Sequence, residues 1–333
     1  MSLRPLSLLA ALALQGCVYA PLDLGLGELG RVYEHVVVDG NEDEKVLLLR
    51  IDGEISSHED AGLLFGSDPA TTATIRQQLD LARRDDAIKG VLLRIDSPGG
   101  GVTASDLIHH ELTRFRQETG KPIVAWFGDT AASGGYYVAQ AADLVVAAPT
   151  CVTGSIGVIA TFPEVSGLGE KIGVDVETIK SGKNKDLGSP FRPMQPEERQ
   201  LLQDLIDRMY ARFVDVVAAG RARVGLTREQ LLPLADGRVY TAPEAEAAKL
   251  IDAQGYLEDA LQRLAGLTGS ADPQVVVYER RTFGGPAPTI YGTAARVAQV
   301  DLSAAGNPVA SIARTVLPRP GPVLRYQWMP AAR

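Results

Sequence analysis

The chain is poor in several things that would point to particular classes of protein. It has no CxxC pair and no Cys/His cluster, so neither a metal site nor a metal cofactor is expected. It has no lysine- or arginine-rich block, and a formal net charge of −8 sets nucleic acid aside as a partner. No apolar run approaches the roughly 20 residues that a bilayer span needs. Only four histidines occur, His35, His58, His109 and His110, and none follows residue 110. The glycine run "SPGGG" at 97–101 is not followed by Gly-Lys-Ser/Thr, which excludes a P-loop. No internal repeat is found. What remains, at 45% hydrophobic and 22% charged over 333 residues, is the composition of a globular protein with a sizeable core.

The two cysteines read differently. The N-terminus runs "MSLRPLSLLAALALQGCVYAPLDLG", with Arg4 followed by a short apolar run from Leu6 to Leu14. This is the layout of a secretory signal. Leu14-Gln15-Gly16-Cys17 resembles a bacterial lipobox, in which cleavage precedes a cysteine that is then acylated; the alternative is a plain secretory signal cut nearby. A lipidated Cys17 would make the protein a membrane-anchored lipoprotein of the bacterial cell envelope. Cys151 would then stand alone in the mature chain, unable to form an intrachain disulfide, and reads as a small buried apolar residue.

Beyond a flexible stretch to about residue 41, strand and helix signals alternate. Strands are expected at 45–55, 88–101, 121–128, 143–149 and 154–160, and helices at 70–85, 103–119 and 133–142, the second with a Ser/Thr/Asp cap. This rhythm predicts an α/β domain with a parallel sheet. A long amphipathic helix follows at 196–220, then a helical pair to about 267. Residues 268–333 are rich in Pro and Gly, with weak strand signals in "QVVVYERR" and "PVLRYQW" and no assignable role. The expected organisation is a signal peptide at 1–16, a lipidated N-terminus and linker at 17–44, the α/β domain at 45–267 and a C-terminal extension at 268–333.

Ser133, in "DTAASGGYYVAQ", falls between a strand and a helix start, where backbone N–H groups lack intrahelical partners. Gly134 lets a ligand approach its amide closely. The second glycine-rich strand end, "IDSPGGG", carries Gly99, Gly100 and Gly101, so two loops could aim two donors at one oxygen, the requirement of an oxyanion hole. A nucleophilic serine also needs a base. No histidine lies downstream of it; His109 and His110 read as solvated helix residues, and His58 as loop. Lys180, Lys183 and Lys185 in "TIKSGKNKDLGSPFRP" are the remaining candidates. A lysine serves as base only when neutral, which burial promotes, and spacing does not choose among the three.

The four segments "IDSPGGG", "TAASGGYYVAQAAD", "VTGSIGV" and "KSGKNKDLGSPFR", in this order, resemble the signal peptide peptidase A (protease IV) family, serine peptidases of the ClpP/crotonase superfamily. The resemblance covers roughly 45–266 and implies an α/β, ClpP/crotonase-like fold with parallel β-sheet repeats flanked by helices. It implies Ser133 as nucleophile, Lys185 as general base and Ser155 as the serine that orients the lysine. Gly100 and Gly134 become the oxyanion donors, with Gly99 as the substitute for Gly100. The chain departs from the family in carrying one Ser-Gly-Gly motif rather than a tandem pair, a lipobox-like anchor instead of a transmembrane helix, and an altered residue after Gly-Arg-Val-Tyr-Thr. The implied activity is endoproteolysis of apolar peptides, such as cleaved signal peptides, by a homo-oligomer. A non-catalytic membrane-associated scaffold and a crotonase-type acyl-CoA enzyme are the alternatives.

Overall fold

The computed structural model describes residues 32–58, 71–280, 288–291 and 325–327. A mostly parallel sheet forms its centre. The chain enters through β1 (Val32–Val38) and β2 (Asn41–Asp52), continues through helix α1 (Thr71–Arg84) and strand β3 (Ile88–Ser97), and turns into a short strand β4 (Gly99–Gly101). Helix α2 (Val102–Thr119), β5 (Ile123–Ala132), helix α3 (Gly134–Ala139), β6 (Leu144–Ala147) and β7 (Val152–Gly154) follow. Beyond α4 (Ser166–Ile172) come the long helix α5 (Pro196–Arg221) and α6 (Arg228–Leu231). The described chain then adds β8 (Val239–Thr241), α7 (Ala242–Ala247), β9 (Ala253–Gln254), α8 (Leu257–Thr268), β10 (Pro273–Arg280) and β11 (Arg325–Gln327).

The main sheet has the order β1-β10-β2-β3-β5-β6-β9. From β10 to β9 every neighbour is parallel, and β1 runs antiparallel to β10. Strands buried on both faces read as continuous apolar runs, and "VLLL" in β2 and "VLL" in β3 are such runs. Their side chains alternate between two cores. Leu47, Leu49, Leu93 and Ile95 join α1, α2, α3 and α5 residues such as Ile75, Leu112, Tyr136 and Phe213 on one face. Val46, Leu48, Leu92, Val124 and Trp126 meet Leu257 and Leu264 of α8 on the other. Each such side chain contributes roughly 1.5–3 kcal/mol by leaving water.

Several expectations are corrected. Strand β1 lies inside the stretch expected to be flexible, and β10 enters the sheet between β1 and β2, so the sheet draws strands from both sides of residues 45–267. Helix α2 starts directly after Gly101 with no side-chain cap; the Ser105 hydroxyl instead donates to the Gly101 carbonyl at 3.0 Å. The strand expected at 154–160 ends at Gly154, because Gly154 (φ 83°) and Ser155 (φ 51°) both turn into the left-handed region and break the ladder. The expected helical pair is three helices, α6 to α8. Cys151 is fully buried, as expected of a small apolar residue, and burial pushes its thiol up to about 12. A buried Arg221 ties the end of α5 to the turn before β9, donating to both Asp252 carboxylate oxygens at 3.0 and 3.1 Å and to the Lys249 carbonyl at 2.8 Å. Removing one partner of such a buried pair costs about 3–5 kcal/mol.

Candidate active site

Three parallel strands end side by side. Ser97 of β3 stands opposite Ala131 of β5, and Ala132 of β5 opposite Gly154 of β7. The chain therefore leaves the sheet at Pro98, Ser133 and Ser155 from adjacent carboxyl ends, the place where open α/β sheets bind ligands.

Ser133 is strained and unsatisfied at once. Its φ of 51° and ψ of −113° are unusual for a residue with a side chain, a conformation costing on the order of 1–3 kcal/mol. Two backbone bonds hold it there: its N–H donates to the Gly154 carbonyl at 2.8 Å, and its carbonyl accepts from Tyr137 N at 2.8 Å. The side chain is fully buried, and Oγ has no hydrogen-bond partner among the described residues. An unpaired buried hydroxyl costs roughly another 1–3 kcal/mol. Ser133 bears both costs, which makes it a candidate functional position. Ser155 sits one strand over with the same φ of 51°, largely buried, its N–H donated to the Arg238 carbonyl at 2.8 Å.

The three glycines of the "SPGGG" turn are not equivalent. The Gly99 amide donates to Ser97 Oγ at 3.1 Å, and the Gly101 amide to the Ile55 carbonyl at 2.9 Å. The Gly99 carbonyl in turn accepts from Ile55 N at 2.9 Å. Successive residues of an extended strand face opposite edges, so Gly100 turns its amide away from Ile55, toward the other edge of β4. This geometry favours Gly100 over Gly99 as a donor to a ligand. A Cβ on Gly100 would lie 2.1 Å from the Ile55 carbonyl oxygen, so no other residue fits. At Gly135 a Cβ would lie 3.1 Å from the Ser97 carbonyl, which shows how closely the first turn of α3 packs on the end of β3. That contact places Gly134 beside β4.

Helix α3 is pinned by its two tyrosines. Tyr136 OH donates to the Leu250 carbonyl at 2.7 Å, and Tyr137 OH donates to Asp106 of α2. Phe213 and His109 both pack edge-on against the Tyr137 ring, with centroids at 5.1 and 5.4 Å. His109 is therefore not the solvated residue expected from the sequence; burial lowers it to about 4, leaving it neutral and engaged with Tyr137. An aspartate in the first turns of an amphipathic helix reads locally as a cap, and nothing near Asp106 in the chain signals its distant partner Tyr137.

The lysine segment stands apart. Lys180 pairs with Asp186, Arg192 bridges Asp186 at 2.9 Å and Glu198 at 2.8 Å, and the Glu198 carboxylate accepts from Gln195 N at 3.0 Å. The Arg192 guanidinium holds Asp186 well below the usual carboxylate range and Glu198 down to about 2. Carboxylates depressed in this way add stability above their ordinary values near 4 and lose it only as pH falls through the lowered ones. The turn is therefore intact at neutral pH. Lys185 is exposed, and among the described residues its Nζ makes no hydrogen bond to Ser133 or Ser155. The fold thus brings Ser133, Ser155, Gly134 and Gly100 together within one chain and leaves Lys185 facing outward. Cys17 lies outside the described residues, and no helix among the described residues is long and apolar enough to cross a membrane.

Residues 115–270 match the sequence model of peptidase family S49. A putative signal peptide peptidase SppA of Enterococcus faecium is 37% identical over 253 residues, covering 76% of this chain and 72% of that protein. A putative protease of Methanocaldococcus jannaschii is 41% identical over 200 residues, covering 60% of this chain and 63% of that one. Protease 4 of Salmonella typhi is 36% identical over 222 residues, which is 67% of this chain but only 34% of that longer protein. With a relative 37% identical and covered over 72% of its length, and with this family-model match, the chain belongs to peptidase family S49 and is a serine peptidase.

Proposed function

We propose that the protein is a membrane-associated endopeptidase that cleaves apolar peptides, including spent signal peptides, with Ser133 as nucleophile and Lys185 as base. The observation that carries this reading is the strained, buried and unpartnered Ser133 hydroxyl. Neutral Lys185 removes the Ser133 proton as Oγ attacks the scissile carbonyl, while Ser155 orients the amine. The amides of Gly100 and Gly134 hold the oxyanion. The lysine returns its proton to the leaving amine, and water then releases the acyl group from Ser133. Membrane attachment rests on the lipobox-like sequence at Cys17, which would keep the enzyme where apolar peptides accumulate. The test is covalent labelling: a fluorophosphonate probe is expected to modify Ser133, located by peptide mapping, and to abolish hydrolysis of a fluorogenic apolar peptide in step with labelling. Labelling elsewhere, or none with activity retained, would remove Ser133 from this role.

The lysine and serine of one working site come, in this proposal, from two copies of the chain. All residues from Glu170 to Lys185 are exposed. Along this arm and its flanks Leu168, Ile172, Val174, Val176, Ile179 and Phe191 expose between 49% and 93% of their surface. Exposed apolar side chains concentrated along one segment suit an interface, and head-to-tail contacts that close build rings. The measurement is complementation. Ser133→Ala and Lys185→Ala proteins, each inactive, are unfolded together, refolded and assayed; activity is expected to return because a mixed interface restores one intact pair. Mixed oligomers that form and stay inactive would place both residues in one chain.

A further inference from the structure

The glycine turn after β3 meets the segment 53–55 out of step. Asp52 stands opposite Asp96, and Ile55 forms a parallel bridge with Gly100. Between these two pairings lie Gly53 and Glu54 on one side, but Ser97, Pro98 and Gly99 on the other. The glycine side therefore carries one extra residue, a β-bulge. Two backbone groups lose their ladder partners here. Gly53 donates to the Asp96 carbonyl at 2.9 Å, and in an unbroken parallel ladder its own carbonyl would accept from the amide of residue 98. Residue 98 is proline and has no N–H. The second group is the Gly99 amide, which falls inside the bulge at a residue whose φ is 103°. Ser97 serves both. Its fully buried hydroxyl donates to the Gly53 carbonyl at 2.6 Å and accepts from the Gly99 amide at 3.1 Å. The Gly99 carbonyl, 3.4 Å from the same oxygen, is already taken by Ile55 N at 2.9 Å.

We infer that Ser97 is a positioning residue that sets which glycine amide reaches the substrate. The inference rests on the assignment of Gly100 as an oxyanion donor. In the observed register Ile55 bonds the Gly99 carbonyl and the Gly101 amide, and Gly100 faces the other way. Successive residues of a strand face opposite edges, so a slip of one residue exchanges them. Without the bulge, Ile55 would stand opposite Gly99 and bond the Pro98 carbonyl and the Gly100 amide. The Gly100 amide would then be consumed inside the fold, and the Gly99 amide would face outward in its place. The Gly99 amide is orphaned only in the bulged register, so its bond to Ser97 Oγ favours that register over the slipped one. The bond to Gly53 fixes where the hydroxyl sits. This clamp lies directly under the first turn of α3, where a Cβ on Gly135 would come within 3.5 Å of Ser97 Cβ. The register is thus set beside Gly134, the other proposed donor.

The test is a double-mutant cycle on the full chain, assayed with a fluorogenic apolar peptide. Ser97→Ala is expected to lower kcat about 10²-fold, the loss of one oxyanion donor, with KM within about threefold of wild type. It also lowers the urea midpoint, because the Gly53 carbonyl and the Gly99 amide lose their shared partner. Stability and register separate at Pro98. In a Pro98→Ala background the new N–H at residue 98 supplies the Gly53 carbonyl. Ser97→Ala made in that background is therefore expected to cost less stability and still about 10²-fold in kcat. If its kcat cost shrinks along with its stability cost, Ser97 is a structural residue only and the inference is overturned. Full kcat in Ser97→Ala beside a lost kcat in Gly100→Ala would overturn the inference while keeping the oxyanion assignment. Full kcat in both would overturn that assignment, and the inference with it.

Discussion

Ser133→Ala and Lys185→Ala each reduce peptide hydrolysis on the order of 10⁴–10⁶-fold in kcat, the scale on which removal of a nucleophile or its base acts. Lys180→Ala and Lys183→Ala keep most of the rate. Lys180 is the demanding comparison because it is ordered, bonded to the Lys183 carbonyl at 3.1 Å and paired with Asp186. Exposed ion pairs contribute only about 0–1 kcal/mol, and the Arg192 bridge from Asp186 to Glu198 still holds the turn when Lys180 is lost. Lys185, by contrast, is exposed, and its side chain makes no hydrogen bond to Ser133 or Ser155 among the described residues. Initial rates on an apolar fluorogenic peptide, with circular dichroism to confirm folding, decide the matter. An inactive Lys183→Ala protein beside an active Lys185→Ala protein would shift the base by two residues.

Gly100→Ala is the second large effect, and here stability and catalysis fall together. The added Cβ would lie 2.1 Å from the Ile55 oxygen, 2.6 Å from its nitrogen and 2.8 Å from its carbonyl carbon. All three are backbone atoms with no rotamer to adjust, so β4 must move away from Ile55. That movement breaks the two 2.9 Å bonds between Ile55 and the glycine run, at about 0.5–1.5 kcal/mol each. The displaced amide no longer meets the oxyanion, which costs about 10²–10³ in kcat. Gly101→Ala provides the contrast one residue on. Its φ is −62°, and a Cβ would meet Ala104 Cβ at an ordinary 3.5 Å. Its stability should stay within about 0.5 kcal/mol of wild type. Chemical denaturation and kcat on the same preparations separate the two variants; a fully active Gly100→Ala protein would show that its amide is not an oxyanion donor.

The parts of this protein that depend on near neighbours in the chain were legible in the sequence. Apolar runs such as "VLLL" and "VLLRI" announce strands buried on both faces, and their alternation with amphipathic helices implies a parallel sheet. Ser133 could be placed between a strand and a helix because the apolar run ends and the glycines begin around it. The parts set by partners far away were not legible. Which of Gly99, Gly100 and Gly101 turns its amide outward is decided by Ile55, more than 40 positions earlier. The partial burial of His109 is decided by Tyr137 packed on it from α3. Strand β1 looked like linker because an edge strand with polar residues acquires its role only from β10, which arrives after all the helices of the described chain. The same holds for β11 on β4. Strand pairing and the direction of a backbone amide are non-local quantities. Local pattern supplies the elements, and only tertiary contacts choose which of their groups face the site.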